Sequence, residues 1–109
     1  EAMPGVMTPT EAFAAIAAGA RHLKLFPAAS AGPGHLRALG DVLPDDCRMW
    51  AVGGVTERNL AEWLEAGAFG VAVGGALYRP GRRRDEITTN AEALVDTWSR
   101  AGKHESCVD

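Results

Sequence analysis

Short, almost wholly apolar runs alternate in this chain with segments of helical periodicity, and the alternation restricts it to a parallel sheet covered by helices. The runs are Gly5-Val6, Leu23-Lys24-Leu25-Phe26, Met49-Trp50-Ala51-Val52 and Val71-Ala72-Val73. Strands without polar alternation are buried on both faces, as in parallel sheets. Parallel neighbours in turn need a crossover long enough to hold a helix. Thr8-Pro9-Thr10-Glu11 supplies an N-cap threonine, a proline at the first helical position and a glutamate three residues after the cap, the elements of a capping box. The helix it opens carries Phe13, Ile16 and Ala17 at helical spacing and closes at Gly19.

The same grammar continues to the C-terminus. After Ala31-Gly32-Pro33-Gly34, residues Leu36, Leu39, Val42 and Leu43 form the apolar face of a second helix, stopped by Pro44-Asp45. Thr56 is the expected cap of a third helix with Leu60, Trp63 and Leu64 as its stripe and Gly67 at its end. A last helix over roughly residues 84–101 places Ile87, Leu94, Val95 and Trp98 on its buried side. Residues 8–26 also align with residues 56–74 at an offset of 48, pairing Thr8 with Thr56, Ile16 with Leu64 and Gly19 with Gly67, and upstream Gly5 with Gly53. Two strand-helix units per repeat suit a barrel, although a doubly wound sheet can show the same period.

A complete eight-fold barrel needs about 200 residues or more, and 109 residues supply about four strand-helix units. The expected fold is therefore α/β, the C-terminal half of a (β/α)8 TIM barrel, with residues 1–109 as one partial domain. The opening Glu1-Ala2-Met3-Pro4-Gly5-Val6 reads as the end of a strand, so earlier strands are expected upstream. A half barrel alone leaves two strand edges and an apolar interior uncovered, and should be marginal, dimerise or aggregate.

Composition narrows the partners. With 47% apolar and 23% charged residues the chain is globular and not disordered. Its net charge is −3 and its basic run, Arg82-Arg83-Arg84, is too short to argue for nucleic acid or a membrane surface. No apolar stretch reaches the roughly 18 residues of a membrane span, and the N-terminus lacks the features of a signal peptide. Cys47 and Cys107 are too far apart to suggest a disulfide framework or a zinc site. A cytoplasmic enzyme is the expectation.

Lys24 is the sharpest chemical feature. Side-chain alternation sends Leu23 and Leu25 to one face and Lys24 with Phe26 to the other. If the leucines meet the helices, Lys24 enters the barrel, where an amine shielded from water can attack a keto carbonyl and form a Schiff base. A lysine at a strand end that reaches solvent is the plainer alternative. The doublets Gly53-Gly54 and Gly74-Gly75 each follow a strand, where bare backbone N–H groups can approach an anion and where barrels of this kind hold phosphates. Alternatively, the glycines serve tight turns that need positive φ. Arg79 either meets such a phosphate or faces water. His22, His35 and His104 have no ligand spacing and read as surface residues, whereas Trp50, Trp63 and Trp98 lie on apolar stripes and read as core.

Four stretches together carry a resemblance: residues 4–12, Leu23-Lys24-Leu25-Phe26-Pro27-Ala28, Ala51-Val52-Gly53-Gly54-Val55-Thr56 and Gly74-Gly75-Ala76-Leu77-Tyr78. In this order they resemble the 2-keto-3-deoxy-6-phosphogluconate and 2-keto-3-deoxy-6-phosphogalactonate aldolases, over nearly the whole chain to about Arg82. The resemblance implies a trimeric eight-fold barrel. Lys24 would be its Schiff-base lysine, with Phe26 against the pyruvate portion and Pro27 in the same substrate-binding segment. Gly53, Gly54, Gly74 and Gly75 would bind the 6-phosphate. Val52 resembles the galactonate branch, the gluconate enzymes usually having threonine there, and Leu60-Ala61-Glu62-Trp63-Leu64-Glu65-Ala66-Gly67 does likewise. Gly75 departs from the serine usual in the family. The family's general acid/base glutamate, with the arginine and threonine that bind the substrate carboxylate, belongs to earlier strands; Glu11 is not that glutamate.

The resemblance therefore implies an aldolase segment, cleaving 2-dehydro-3-deoxy-6-phosphogalactonate to pyruvate and glyceraldehyde 3-phosphate and of little activity alone. The partner is a phosphorylated sugar acid. No metal and no organic cofactor are expected, since the protonated imine is the electron sink. The 6-phosphogluconate epimer is the alternative substrate, and a non-catalytic phosphate-binding half barrel is the alternative of another class.

Overall fold

A computed structural model describes residues 1–102. The elements run β1 (Gly5–Val6), α1 (Pro9–Ala17), β2 (His22–Leu25), α2 (Ala28–Ala31), α3 (Pro33–Val42), β3 (Arg48–Val52), α4 (Leu60–Glu65), β4 (Gly70–Ala72) and α5 (Arg84–Gly102). The four strands form one parallel sheet in the order β1-β2-β3-β4. Strand order equal to chain order is the order of a barrel; a doubly wound sheet reverses direction at a switch point.

Leu23 and Leu25 of β2, and Met49 and Ala51 of β3, supply the helix-side face and are buried. They meet Ala12 of α1, Leu36 and Leu39 of α3 and Trp63 of α4 in the main core, while Leu60, Leu64 and Leu94 make a smaller cluster where α5 joins α4. Full burial of each of these leucines is worth about 1.5–3 kcal/mol. The capping box of α1 is present: the Glu11 N–H donates to Thr8 Oγ1 at 3.2 Å, and Glu11 Oε1 accepts from the N–H groups of Met7 (2.8 Å) and Thr8 (3.1 Å). The internal repeat is equally plain in the backbone. Gly19 and Gly67 both adopt positive φ, 106° and 107°. Each closes its helix in the same way, Gly19 N–H to Ile16 O with Ala20 N–H to Ala15 O, and Gly67 N–H to Leu64 O with Ala68 N–H to Trp63 O.

Several expectations are corrected. Phe13 and Ala17 lie on the exposed side of α1, which turns Ala12, Ala15 and Ile16 to the core. Val42 is exposed because α3 ends there, and Leu43 takes the buried place. On α5, Leu94 is buried and Ile87 half-buried, but Val95 and Trp98 are exposed. Thr56 does not cap α4 directly. Its carbonyl accepts the N–H groups of Asn59 and Leu60 and its own N–H donates to Asn59 Oδ1 at 2.8 Å, so a turn intervenes and Asn59 stands at the cap position. The short helix α2 had no signal of its own. His104, Lys103 and Cys107 lie outside the described residues.

Candidate active site

The alternation of β2 puts Lys24 on the sheet face away from the helices. It pairs in register with Gly5 of β1 and Trp50 of β3, so these positions share that face with it. Gly5 lies directly beside the lysine: a side chain there would begin in van der Waals contact with it, 3.4 Å from Lys24 Cε and 3.7 Å from Cγ. Phe26, just beyond β2 and 51% exposed, stands beside the amine, with Lys24 Nζ 5.6 Å from its ring centroid. Lys24 is half-buried and has no carboxylate partner among the described residues. Its amino group is reached from the uncovered side of the sheet.

The first glycine doublet is built against this segment. Gly53 has φ 104° and Gly54 φ 79°, both in the region that favours glycine. A side chain on Gly53 would begin 3.1 Å from Phe26 Cδ1 and 3.1 Å from Pro27 Cα, and the Gly53 carbonyl accepts the Ala29 N–H at 3.0 Å. Phe26-Pro27, joined by a cis peptide bond, and Gly53-Gly54 are thus one packed unit at the C-terminal ends of β2 and β3. Val52 lies on the same face as Trp50, two positions closer to that end, and pairs with Ala72.

The second doublet differs. Gly74 and Gly75 do not adopt positive φ, so turn strain does not explain them. The Gly74 carbonyl accepts the N–H groups of Leu77 and Tyr78, both at 2.9 Å, folding the loop after β4 back on itself. The β3–β4 pairing ends at Val52 and Ala72, and each doublet begins within two residues of that end. Among the described residues the N–H groups of Gly53, Gly54, Gly74 and Gly75 donate to no protein acceptor. These four amides, on loops that leave the C-terminal ends of neighbouring parallel strands, are free to donate to an external acceptor. Arg79 is exposed and its Nε donates to Gly75 O at 3.1 Å.

The other end of the open face holds what sequence reading missed. Trp50 is not core: its Nε1 donates to His22 Nδ1 at 3.0 Å, and its six-membered ring covers Gly70, the atom Cζ3 lying 2.4 Å from where a side chain there would begin. Phe69 packs edge-on to both rings, under the guanidinium of Arg48. His22 is therefore half-buried in an aromatic cluster and His35 is bonded to the Met7 carbonyl; neither is a free surface residue. The available signal was the absence of any side chain at Gly70 beside Trp50. Glu11 stays in its capping box, where the Met7 N–H, and after it the Thr8 N–H, holds its carboxyl below the usual carboxylate range. Burial, with Asp46 adding to it, pushes the Cys47 thiol up. Among the described residues no group of three or more His, Cys, Asp or Glu side chains converges as a metal site, and no helix is long and apolar enough to cross a membrane.

Residues 1–93 match the family model described as "KDPG and KHG aldolase". The 2-dehydro-3-deoxy-6-phosphogalactonate aldolase of Escherichia coli (strain K12) is 46% identical over 98 residues, which are 90% of this chain and 48% of that protein. A probable 2-dehydro-3-deoxy-6-phosphogalactonate aldolase of Rhizobium meliloti (strain 1021) is 47% identical over 93 residues, 85% of this chain and 44% of that one. The solved structure described as native KDPGal superposes with a TM-score of 0.89 at 44% identity, covering 93% of this chain and 49% of its own. The chain spans about half the length of the relatives it matches. Its four parallel strands, the lysine on their open face and the glycine loops at one end accordingly have a family: the chain belongs to the KDPG and KHG aldolases.

Proposed function

We propose that this chain supplies the amine and the phosphate-binding end of a class I aldolase that cleaves 2-dehydro-3-deoxy-6-phosphogalactonate to pyruvate and glyceraldehyde 3-phosphate. The observation that carries the reading is the position of Lys24, on the open face of β2 beside Phe26, at the end of the sheet where the glycine amides are unengaged. In this reading Lys24 Nζ attacks the keto carbon and water leaves, giving a protonated imine. The imine accepts the electron pair of the breaking carbon–carbon bond, so glyceraldehyde 3-phosphate departs and an enamine remains. Protonation and hydrolysis then release pyruvate and restore the amine. Phe26 and Pro27 flank the pyruvate portion, Val52 lines the sugar hydroxyls, and Gly53, Gly54, Gly74 and Gly75 receive the phosphate.

The galactonate epimer is favoured by Val52, whose side chain offers no hydroxyl to the substrate, and by the two relatives named above. The glutamate that moves the protons and the groups that bind the carboxylate come from the part of the barrel that the chain does not span. A homotrimer of the whole protein and a cytoplasmic setting belong to the same reading.

Borohydride reduction in the presence of pyruvate tests it. A covalent adduct is expected on Lys24 well above Lys103, the other lysine of the chain, and Lys24→Arg abolishes it, since a guanidinium forms no imine. Equal labelling of both lysines in a chain shown by circular dichroism to be folded refutes the assignment.

A further inference from the structure

Resting on the reading that the loops after β3 and β4 hold the substrate phosphate, we propose that Arg79 is the cationic anchor of that phosphate and occupies the place of a side chain that Gly75 does not have. A side chain on residue 75 would begin 3.2 Å from Arg79 Nε and 3.3 Å from Nη2. The guanidinium therefore fills the space into which a larger residue would project. The loop holds it there: the turn closed by the Gly74 carbonyl carries the chain back over the doublet, and Arg79 Nε donates to Gly75 O at 3.1 Å.

That bond uses one of the five N–H donors of the guanidinium. Among the described residues the Nη groups of Arg79 have no acceptor, and the side chain has no carboxylate partner. Arg21, Arg83 and Arg100 are instead paired with Asp46, Asp85 and Asp96, and of the arginines without such a pair Arg79 and Arg82 are the ones bonded to the Gly75 carbonyl. Arg82 has a different task. Its Nη1 donates to both Gly75 O and Ala76 O at 3.1 Å, so it fixes the loop and adds positive charge beneath it.

Two unengaged Nη groups beside the unengaged amides of Gly74 and Gly75 are a fork of donors suited to two phosphate oxygens. A hydroxyl at residue 75 would offer one neutral donor, whereas the guanidinium offers two with a full charge. The site should therefore discriminate strongly for a phosphorylated substrate.

Inorganic phosphate is the probe. The 15N-labelled chain is titrated with phosphate at pH 7.5 and constant ionic strength, and the glycine amides are followed by heteronuclear NMR. Saturable shifts of Gly53, Gly54, Gly74 and Gly75 are expected. Arg79→Gln should raise Kd about tenfold or more, in keeping with the net worth of a charged hydrogen-bonded contact. Arg79→Lys, which keeps the charge, should raise it less. Arg83→Gln, at an exposed arginine paired with Asp85, should change it less than about twofold. If Arg79→Gln leaves Kd within twofold, or weakens binding no more than Arg83→Gln does, the glycine amides are the whole site; Arg79 is then refuted while the phosphate reading stands. Absence of any saturable glycine shift overturns both, and leaves the Lys24 chemistry to be judged by reductive trapping alone.

Discussion

Replacing Gly54 by alanine should damage the loop through two separable effects. Gly54 has φ 79°, and an L side chain in the left-handed region costs about 1–2 kcal/mol. Its new methyl carbon would also stand 2.4 Å from Ala29 Cβ, where methyl carbons rest at about 3.5–4.0 Å. Ala29 must then withdraw by more than an ångström or so, at an overpacking cost of about 1–3 kcal/mol. Its withdrawal loosens the 3.0 Å bond from its N–H to Gly53 O that ties α2 to the doublet. A total loss of about 2–5 kcal/mol is expected from these terms together. A double-mutant cycle separates them. Ala29→Gly removes the colliding methyl but not the backbone strain, so in its presence Gly54→Ala should cost only about 1–2 kcal/mol. The assay is urea unfolding of the 109-residue chain followed by circular dichroism. Additivity of the two substitutions within about 0.5 kcal/mol would show that the loop yields freely, and a loss below that for Gly54→Ala alone would refute the strain argument as well.

Four further outcomes are expected. Thr8→Ala should destabilise the chain by about 1 kcal/mol through loss of the α1 cap, read in the same unfolding assay. The depressed carboxyl of Glu11 contributes stability that is present above its ordinary pKa and lost as pH falls through the lowered folded value. Glu11→Gln should therefore flatten the acid side of the pH–stability curve and leave its slope above pH 6 or so unchanged. Leu25→Ala, at a fully buried position behind Lys24, should cost about 2–5 kcal/mol in the midpoint of unfolding. On the proposed reading, which places the acid/base glutamate outside this half, the chain assayed alone with the phosphorylated sugar acid should turn over about 10²–10⁴ times more slowly than a full-length relative; turnover within tenfold would refute that placement.

Much of the fold could be read from residues whose physics is local. Thr8, Pro9 and Glu11 decide the start of α1 without help from the rest of the chain, and Gly19 and Gly67 end their helices by adopting a φ that other residues resist. The two leucines around Lys24 decide which way the amine faces once helices cover one side of the sheet. What failed depended on neighbours. Periodicity shows that Phe13, Val95 and Trp98 lie on helical stripes, but their exposure depends on whether another helix stands beside α1 or α5. Trp50 is apolar and lies on a strand, yet its indole turns to the open face because Gly70 leaves space there and His22 offers an acceptor. The seat of Arg79 was equally hidden, since it depends on a loop folding back over Gly75.

The duplicated backbone offers the same address twice. Lys24 and Ala72 stand at equivalent points of the 48-residue repeat, reached through helix endings with matching hydrogen bonds, and both positions belong to the open face of the sheet. Two residues on, the first copy has the ring of Phe26 and the second has the bare backbone of Gly74. One copy thereby carries an amine and an aromatic ring at these two positions, the other a methyl group and bare backbone. On the proposed reading, a scaffold of this kind acquires division of labour without altering its architecture, because a nucleophile's seat and an anion's seat differ only in what hangs from equivalent backbone positions.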